Sequence, residues 1–185
     1  IPSYFDSAIG GAGANPLASL GAGHKKIMKG EPVLVDIVHV HRGYITDMTR
    51  MFSVGKPDEI WIERLEQMEE IATKVKNSLS NGDSCSKAWE IGNSLSENMG
   101  FSEHLMGMPP EQSRFLGHSI GLELDETPVV ASGFDSPLEI GGTMAIEPKV
   151  IFPEGAVGIE DCWFRDQNGL QCLSSGNSFP SWTEW

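Results

Sequence analysis

The sequence lacks the marks of several protein classes. Its three cysteines (Cys85, Cys162, Cys172) are odd in number and form no CxxC. That argues against a zinc finger or a disulfide framework and for a reducing, cytoplasmic compartment. Cys162 reads best as a small buried hydrophobe. No apolar run approaches the length of a membrane span, and nothing reads as a signal peptide. Basic residues are scarce, 13 Lys and Arg against 26 Asp and Glu, and they do not cluster. With a net charge of −13 and a pI near 4.7, the chain offers no basic face to phosphates, which argues against nucleic acid. Neither GxGxxG nor the P-loop pattern occurs. An initiator Met is missing too, and the opening IPSYFDSAIGG reads as the interior of a domain. The chain is therefore expected to be a fragment or a processed piece.

What is present suits one globular domain over residues 1–185, with 39% hydrophobic and 21% charged residues. Residues 1–30 are rich in Gly, Ala and Ser and read as loop, with a short strand at Tyr4 to Ile9. His24 in this loop is a candidate substrate contact, set against the plainer reading of a surface histidine. Val33 to Val40, apolar on both faces, reads as a central strand, with Tyr44 to Val54 as its partner. Trp61, Leu65, Met68, Ala72, Val75 and Leu79 recur at helical spacing, ended by Asn81-Gly82. A second helix, capped by Asp83 or Ser84, places Ala88, Ile91, Leu95 and Met99 on one face and stops at Gly100. The run Phe115 to Leu124 leads to a loop with Pro128 and Pro137. Apolar runs Thr143 to Phe152 and Ala156 to Phe164 follow, then a short strand at Gly169 to Leu173 and a polar tail.

The chemistry lies in acidic residues among these apolar runs. VLVDIVHVHRGYITDMTRMF folds as a hairpin about His41-Arg42, and that register sets Asp36 opposite Asp47. Like charges facing each other on buried strands cost several kcal/mol or a large pKa shift unless a cation lies between them. TMAIEPKVIF and AVGIEDCWF repeat the pattern about Pro153-Glu154, with Glu147 opposite Glu160 and, because Pro148 removes a ladder donor, a bulge expected beside Glu147. Each carboxylate alone could be satisfied by hydrogen bonds, but the repetition points to a metal cage. His118, in FLGHSIGLE between glycines, is a natural fifth ligand. Four carboxylates balance two divalent cations, and oxygen-rich ligation with one imidazole suits Mn, Co, Fe or Zn. Arg50 reads as structural neutralisation of these carboxylates.

These stretches (VLVDIV, YITDMTR, FLGHSIGLE, MAIEPK and VGIED) resemble the metal-ligand set of the pita-bread metallopeptidases. That family holds methionine aminopeptidases, proline-specific aminopeptidases and Xaa-Pro dipeptidases. GLELDE after His118 looks more like the Xaa-Pro branch. The resemblance implies an α+β pita-bread fold, a curved antiparallel sheet covered by helices with a pseudo-twofold repeat. It also implies metal ligation by Asp36, Asp47, His118, Glu147 and Glu160. Glu147 would in addition take the proton from a metal-bridging water that attacks the Xaa-Pro bond of a peptide substrate. Asp125 stands where the family often has a substrate-contacting His, and could hold a substrate amine or cap its loop. Leu20 aligns with a further family His, and His24 is the nearest histidine that could substitute for it. The family's preceding helical pair is not in this chain, so another chain supplies it or the bare sheet face associates, as in a homodimer. Two other functions fit the same residues: a binding module without peptidase activity, or a creatinase-like C–N hydrolase working without metal.

Overall fold

The computed structural model describes residues 13–15, 22–110, 112–174 and 180–185. The strand expected at Tyr4 to Ile9, and Leu20, lie outside the described residues. In the first hairpin β1 (Val33–His41) pairs antiparallel with β2 (Tyr44–Ser53). Its turn is Arg42-Gly43, with φ of 53° and 89°. Two positive φ values make the tight turn whose twist matches that of the strands, and Gly43 adopts it freely. The turn therefore sits one residue later than expected. Asp36 faces Thr49, and Asp47 faces Val38. A slip of two residues preserves the side-chain alternation, so Asp36 and Asp47 stay on one face as diagonal neighbours.

β1 is not the buried central strand that its apolar pattern suggests. It has β2 as its one partner among the described strands and is exposed from Asp36 to His41. On the other side of β2 lies β10 (Trp182–Glu184), parallel to it and drawn from the polar tail. Three residues carry too little periodicity to announce a strand; β10 exists because β2 has a free edge to receive it.

Among the described residues two helices pack against each other, and the first of them lies on the sheets. α1 (Glu59–Ser80) buries Trp61, Leu65, Met68, Ile71, Val75 and Leu79, each worth roughly 1.5–3 kcal/mol relative to exposure. Asn81 and Gly82 (φ 86°) end it. In α2 (Cys85–Asn98) the Ser84 hydroxyl caps the N-terminus, accepting from the Lys87 N–H at 3.2 Å. Its buried stripe is Ala88, Gly92 and Ser96, while Ile91, Leu95 and Met99 are half-buried at the flank. A Cβ on Gly92 would lie 2.4 Å from Leu116 Cδ1 and 2.9 Å from Val75 Cγ2. Close approach, more than apolar area, decides which face of α2 points inward.

β3 (Gly117–Ser119), β4 (Glu126–Val129), β5 (Thr143–Ile146), β8 (Asp161–Asp166) and β9 (Gly169–Cys172) form a sheet in the order β4-β3-β5-β8-β9. β4 occupies part of the expected Pro128 loop, at an edge where a residue without an N–H is tolerated. β6 (Lys149–Phe152) and β7 (Gly155–Gly158) complete the second hairpin. Lys149 pairs with Gly158 and Ile146 with Asp161, so one register runs through both ladders as expected. Glu147 and Glu160 meet in the gap between them. No bulge occurs there; Pro148 interrupts the ladder without shifting it, and its carbonyl accepts from the Ile159 N–H at 3.3 Å. The two hairpins are joined where Thr49 and Glu160 exchange backbone hydrogen bonds, each 3.3 Å.

Candidate metal centre

The pairing of β2 with Glu160 gathers the acidic residues of both hairpins on one surface. Atoms of Asp47, His118 and Glu160 lie within 4.8 Å of one another, and all three residues are buried. Asp47 Oδ1 and Glu160 Oε1 are buried with no hydrogen-bond partner. A buried carboxylate oxygen without a donor is costly, and two of them beside an imidazole form the donor set of a divalent transition ion. The residues present therefore fit a metal.

His118 reaches this position because Gly117 lets β3 press against β5. A Cβ on Gly117 would lie 2.3 Å from the Ala145 carbonyl oxygen. The ring's Nδ1 is 3.1 Å from the Ser119 carbonyl, and Nε2 lies 3.2 Å from Glu147 Oε1. Nδ1 is thus turned to Ser119 and Nε2 to the carboxylates, where it donates to Glu147 while protonated and is placed to bind an ion once deprotonated. Asp125, at the exposed rim, has Oδ1 3.4 Å from His118 Nδ1. The loop-capping role belongs to its neighbour: Glu126 Oε1 accepts from the N–H groups of Leu122 and Glu123 at 2.8 and 2.9 Å. His24 is exposed and makes no hydrogen bond or ion pair with the cage.

Asp36 and Glu147, the other expected ligands, meet the cage through a residue that the count of carboxylates leaves out. Lys149 is buried, and its Nζ donates to Glu147 Oε2 at 2.6 Å, Glu160 Oε2 at 2.8 Å and Asp36 Oδ2 at 3.1 Å. A signal for it was in the sequence. Glu147 and Lys149 are two apart on one apolar run, so any strand that turns Glu147 inward turns Lys149 inward too. Arg50 takes the structural role, donating to the Thr49 and Glu160 carbonyls at 2.8 Å each and to Asp161 Oδ1 at 2.6 Å. Cys162 is buried as expected, but its thiol also clips the backbone of Asp47, with Sγ 3.2 Å from both its N and its O.

The profile of metallopeptidase family M24 matches residues 3–164. The chain belongs to this family. It is 29% identical over 171 residues to the Xaa-Pro dipeptidase of Pyrococcus horikoshii, covering 92% of this chain and 47% of that one. Among solved structures it superposes on the prolidase of the same organism with a TM-score of 0.77 at 28% identity, over 94% of this chain and 48% of the other. The X-Pro aminopeptidase of Thermotoga maritima gives a TM-score of 0.79 at 21% identity, over 97% and 46%. The M24 chain thus spans about half the length of the relatives it matches, and its α+β architecture is the pita-bread fold.

The electrostatics of this M24 cage follow from who partners whom. Burial, then the adjacent Asp36 charge, raises the Asp47 carboxyl to about 7. Burial likewise raises Glu160 to about 8, against the pull of Lys149. Burial also opposes ionisation of Glu147, but Lys149 and His118 override it and hold its carboxyl at about 2. For His118 burial disfavours the charged ring, and its hydrogen bond to Glu147 prevails, raising it to about 9. Glu147, bonded to both Lys149 and His118, is thereby ionised, whereas burial favours the protonated forms of Asp47 and Glu160, the latter despite its bond from Lys149.

Proposed function

We propose that residues 1–185 form the catalytic domain of a divalent-metal-dependent exopeptidase that hydrolyses the bond between an N-terminal residue and a following proline. The observation that carries this is the buried group of Asp47, His118 and Glu160, in which Asp47 Oδ1 and Glu160 Oε1 have no hydrogen-bond partner. Asp47, His118 and Glu160 would hold the ion, with Mn, Co, Zn or Fe suited to the donor set. When bound there, a divalent ion polarises the scissile carbonyl and lowers the pKa of the attacking water. Glu147, kept ionised by Lys149 and His118, accepts the proton and passes it to the leaving amine of proline. Asp125 at the rim receives the free α-amino group of the peptide. In the dinuclear form that the carboxylate count suggests, Asp36 and Glu147 complete a second position, now contested by Lys149. The free thiols of Cys85, Cys162 and Cys172 support a cytoplasmic setting.

A binding module has no use for buried carboxylate oxygens held without donors, and a metal-free C–N hydrolase would need those oxygens hydrogen-bonded. Both alternatives are therefore weaker. The test uses protein purified without chelator and supplied with Mn or Co, assayed on Xaa-Pro and Xaa-Ala dipeptides and on an Xaa-Pro tripeptide. Metal-dependent release of the first residue, selective for proline, is expected. Metal-loaded protein that cleaves none of these peptides would refute the proposal.

A further inference from the structure

The cage contains a cation of its own. Lys149 is among the largest fully buried side chains of the described residues, at 1% exposure. Its three N–H donors have three acceptors, Glu147 Oε2, Glu160 Oε2 and Asp36 Oδ2, at 2.6, 2.8 and 3.1 Å. An ammonium with every donor matched to a carboxylate is the arrangement that tolerates burial. The position is also built for the stem. Lys149 pairs with Gly158 across the β6–β7 ladder, and a Cβ on Gly158 would lie 2.3 Å from Lys149 Cγ and 2.8 Å from its Cβ. Any larger residue at 158 would drive the lysine out of the cage.

The carboxylate oxygens divide into two sets. Asp36 Oδ2, Glu147 Oε2 and Glu160 Oε2 converge on Nζ. Asp47 and Glu160, whose Oδ1 and Oε1 have no hydrogen-bond partner, belong with His118 to the second group. Charge alone does not choose between one ion and two. Four carboxylates with Lys149 and one divalent ion leave one negative charge, and with two divalent ions one positive charge. Position does choose. A second ion bound through Asp36 Oδ2, Glu147 Oε2 and Glu160 Oε2 would have to occupy the point where Nζ lies, because both cations would contact the same three oxygens.

The geometry points to Lys149 as a built-in replacement for one of the two metal ions, leaving a single divalent ion held by Asp47, His118 and Glu160. Asp36 is then a partner of the ammonium and not a metal ligand. Glu147, bonded to Lys149 through Oε2, keeps Oε1 on the His118 side, where an incoming proton can be received. Lys149 is a positioning residue: it touches the carboxylates and not the substrate.

The inference presupposes the metal-dependent activity proposed above, so the experiment reads metal content separately from hydrolysis. Protein loaded with excess Mn or Co and freed of unbound ion is assayed for metal per chain by mass spectrometry. For Mn, the paramagnetic resonance spectrum distinguishes an isolated ion from an exchange-coupled pair. One ion per chain with an isolated-ion spectrum is expected for the unaltered protein, and two for Lys149→Gly, which removes both the charge and the stem. Two ions in the unaltered protein would overturn the inference while leaving the Xaa-Pro activity standing, and no ion would overturn both. One ion without cleavage of any Xaa-Pro peptide would uphold the inference and refute the activity. If Lys149→Gly fails to fold, the count and the spectrum of the unaltered protein decide alone, and a second variant, Asp36→Asn, supplies the independent check of retained metal.

Discussion

Removing the metal should make stability fall as pH rises, against the usual behaviour of an acidic protein. In the metal-free protein Asp47 and Glu160 titrate near 7 and 8, and their unfolded forms near 4. Between those values the folded chain holds protons that the unfolded chain has released. The free energy of unfolding then declines with pH by about 1.4 kcal/mol per unit for each such proton. His118, raised to about 9, acts in the same direction: its extra folded-state proton stabilises fully below the unfolded value and is lost as pH climbs through 9. Glu147, depressed to about 2, contributes stability throughout this range and loses it only in acid. The melting temperature of chelator-treated protein should therefore be highest near about pH 5 and drop steadily toward about pH 8. A divalent ion replaces the protons and flattens the profile. At an ion concentration about 100 times its Kd it adds about 2.7 kcal/mol, or roughly 5–10 °C for a chain of this size. Circular dichroism melts across that range, with chelator and with Mn, make the comparison. A chelator-treated profile that is flat or rises from about pH 5 to about pH 8 would refute the charge assignment of the cage.

Other perturbations separate the roles of neighbouring residues. Asp36→Asn should retain the bound ion, with one hydrogen bond to Lys149 weakened; loss of the ion on equilibrium dialysis would make Asp36 a ligand after all. Gly117→Ala places a methyl 2.3 Å from the Ala145 carbonyl and must push β3 off β5, costing about 2 kcal/mol or more and moving His118 away from the cage. Unchanged melting and metal affinity would show that β3 does not position the histidine. Asp125→Asn should raise KM for peptides with a free α-amino group while leaving metal content alone; an unchanged KM would remove it from the substrate site. Arg50→Met takes the cation from the half-buried Asp161 carboxylate, which keeps its bond from the Ser174 hydroxyl, and the donor from two carbonyls, at a cost of about 1–3 kcal/mol. A melting temperature within about 2 °C of the parent would contradict that.

The parts of this cage legible in the sequence were those fixed by parity. Carboxylates on apolar runs announce which face they share, and that survived a register error in the first hairpin because the error was an even number of residues. The Arg42-Gly43 turn was the source of the error, since its positive φ at both positions is recognisable only from backbone geometry when the first residue is an arginine. In the second hairpin Glu147 and Glu160 fell opposite one another as expected. The exposure of β1 and the short strands β4 and β10 were not legible, because they depend on which edges the rest of the fold leaves available.

Lys149 is the group that a count of acidic ligands leaves out. Four acidic residues at family-like spacing invite two divalent ions, yet the same parity that turns Glu147 inward turns Lys149 inward beside it. Gly158 then leaves its stem no obstacle. A lysine on a buried strand is costly unless several carboxylates receive it, so this one could be predicted to seek the cage once the cage was recognised. Charge balance has to be taken over every group that shares the face, cations included. Taken that way, the strand that carries the proposed base also carries the cation that keeps it ionised. On the single-ion inference, the metal content of this M24 chain would be set by Lys149 as much as by its acidic ligands.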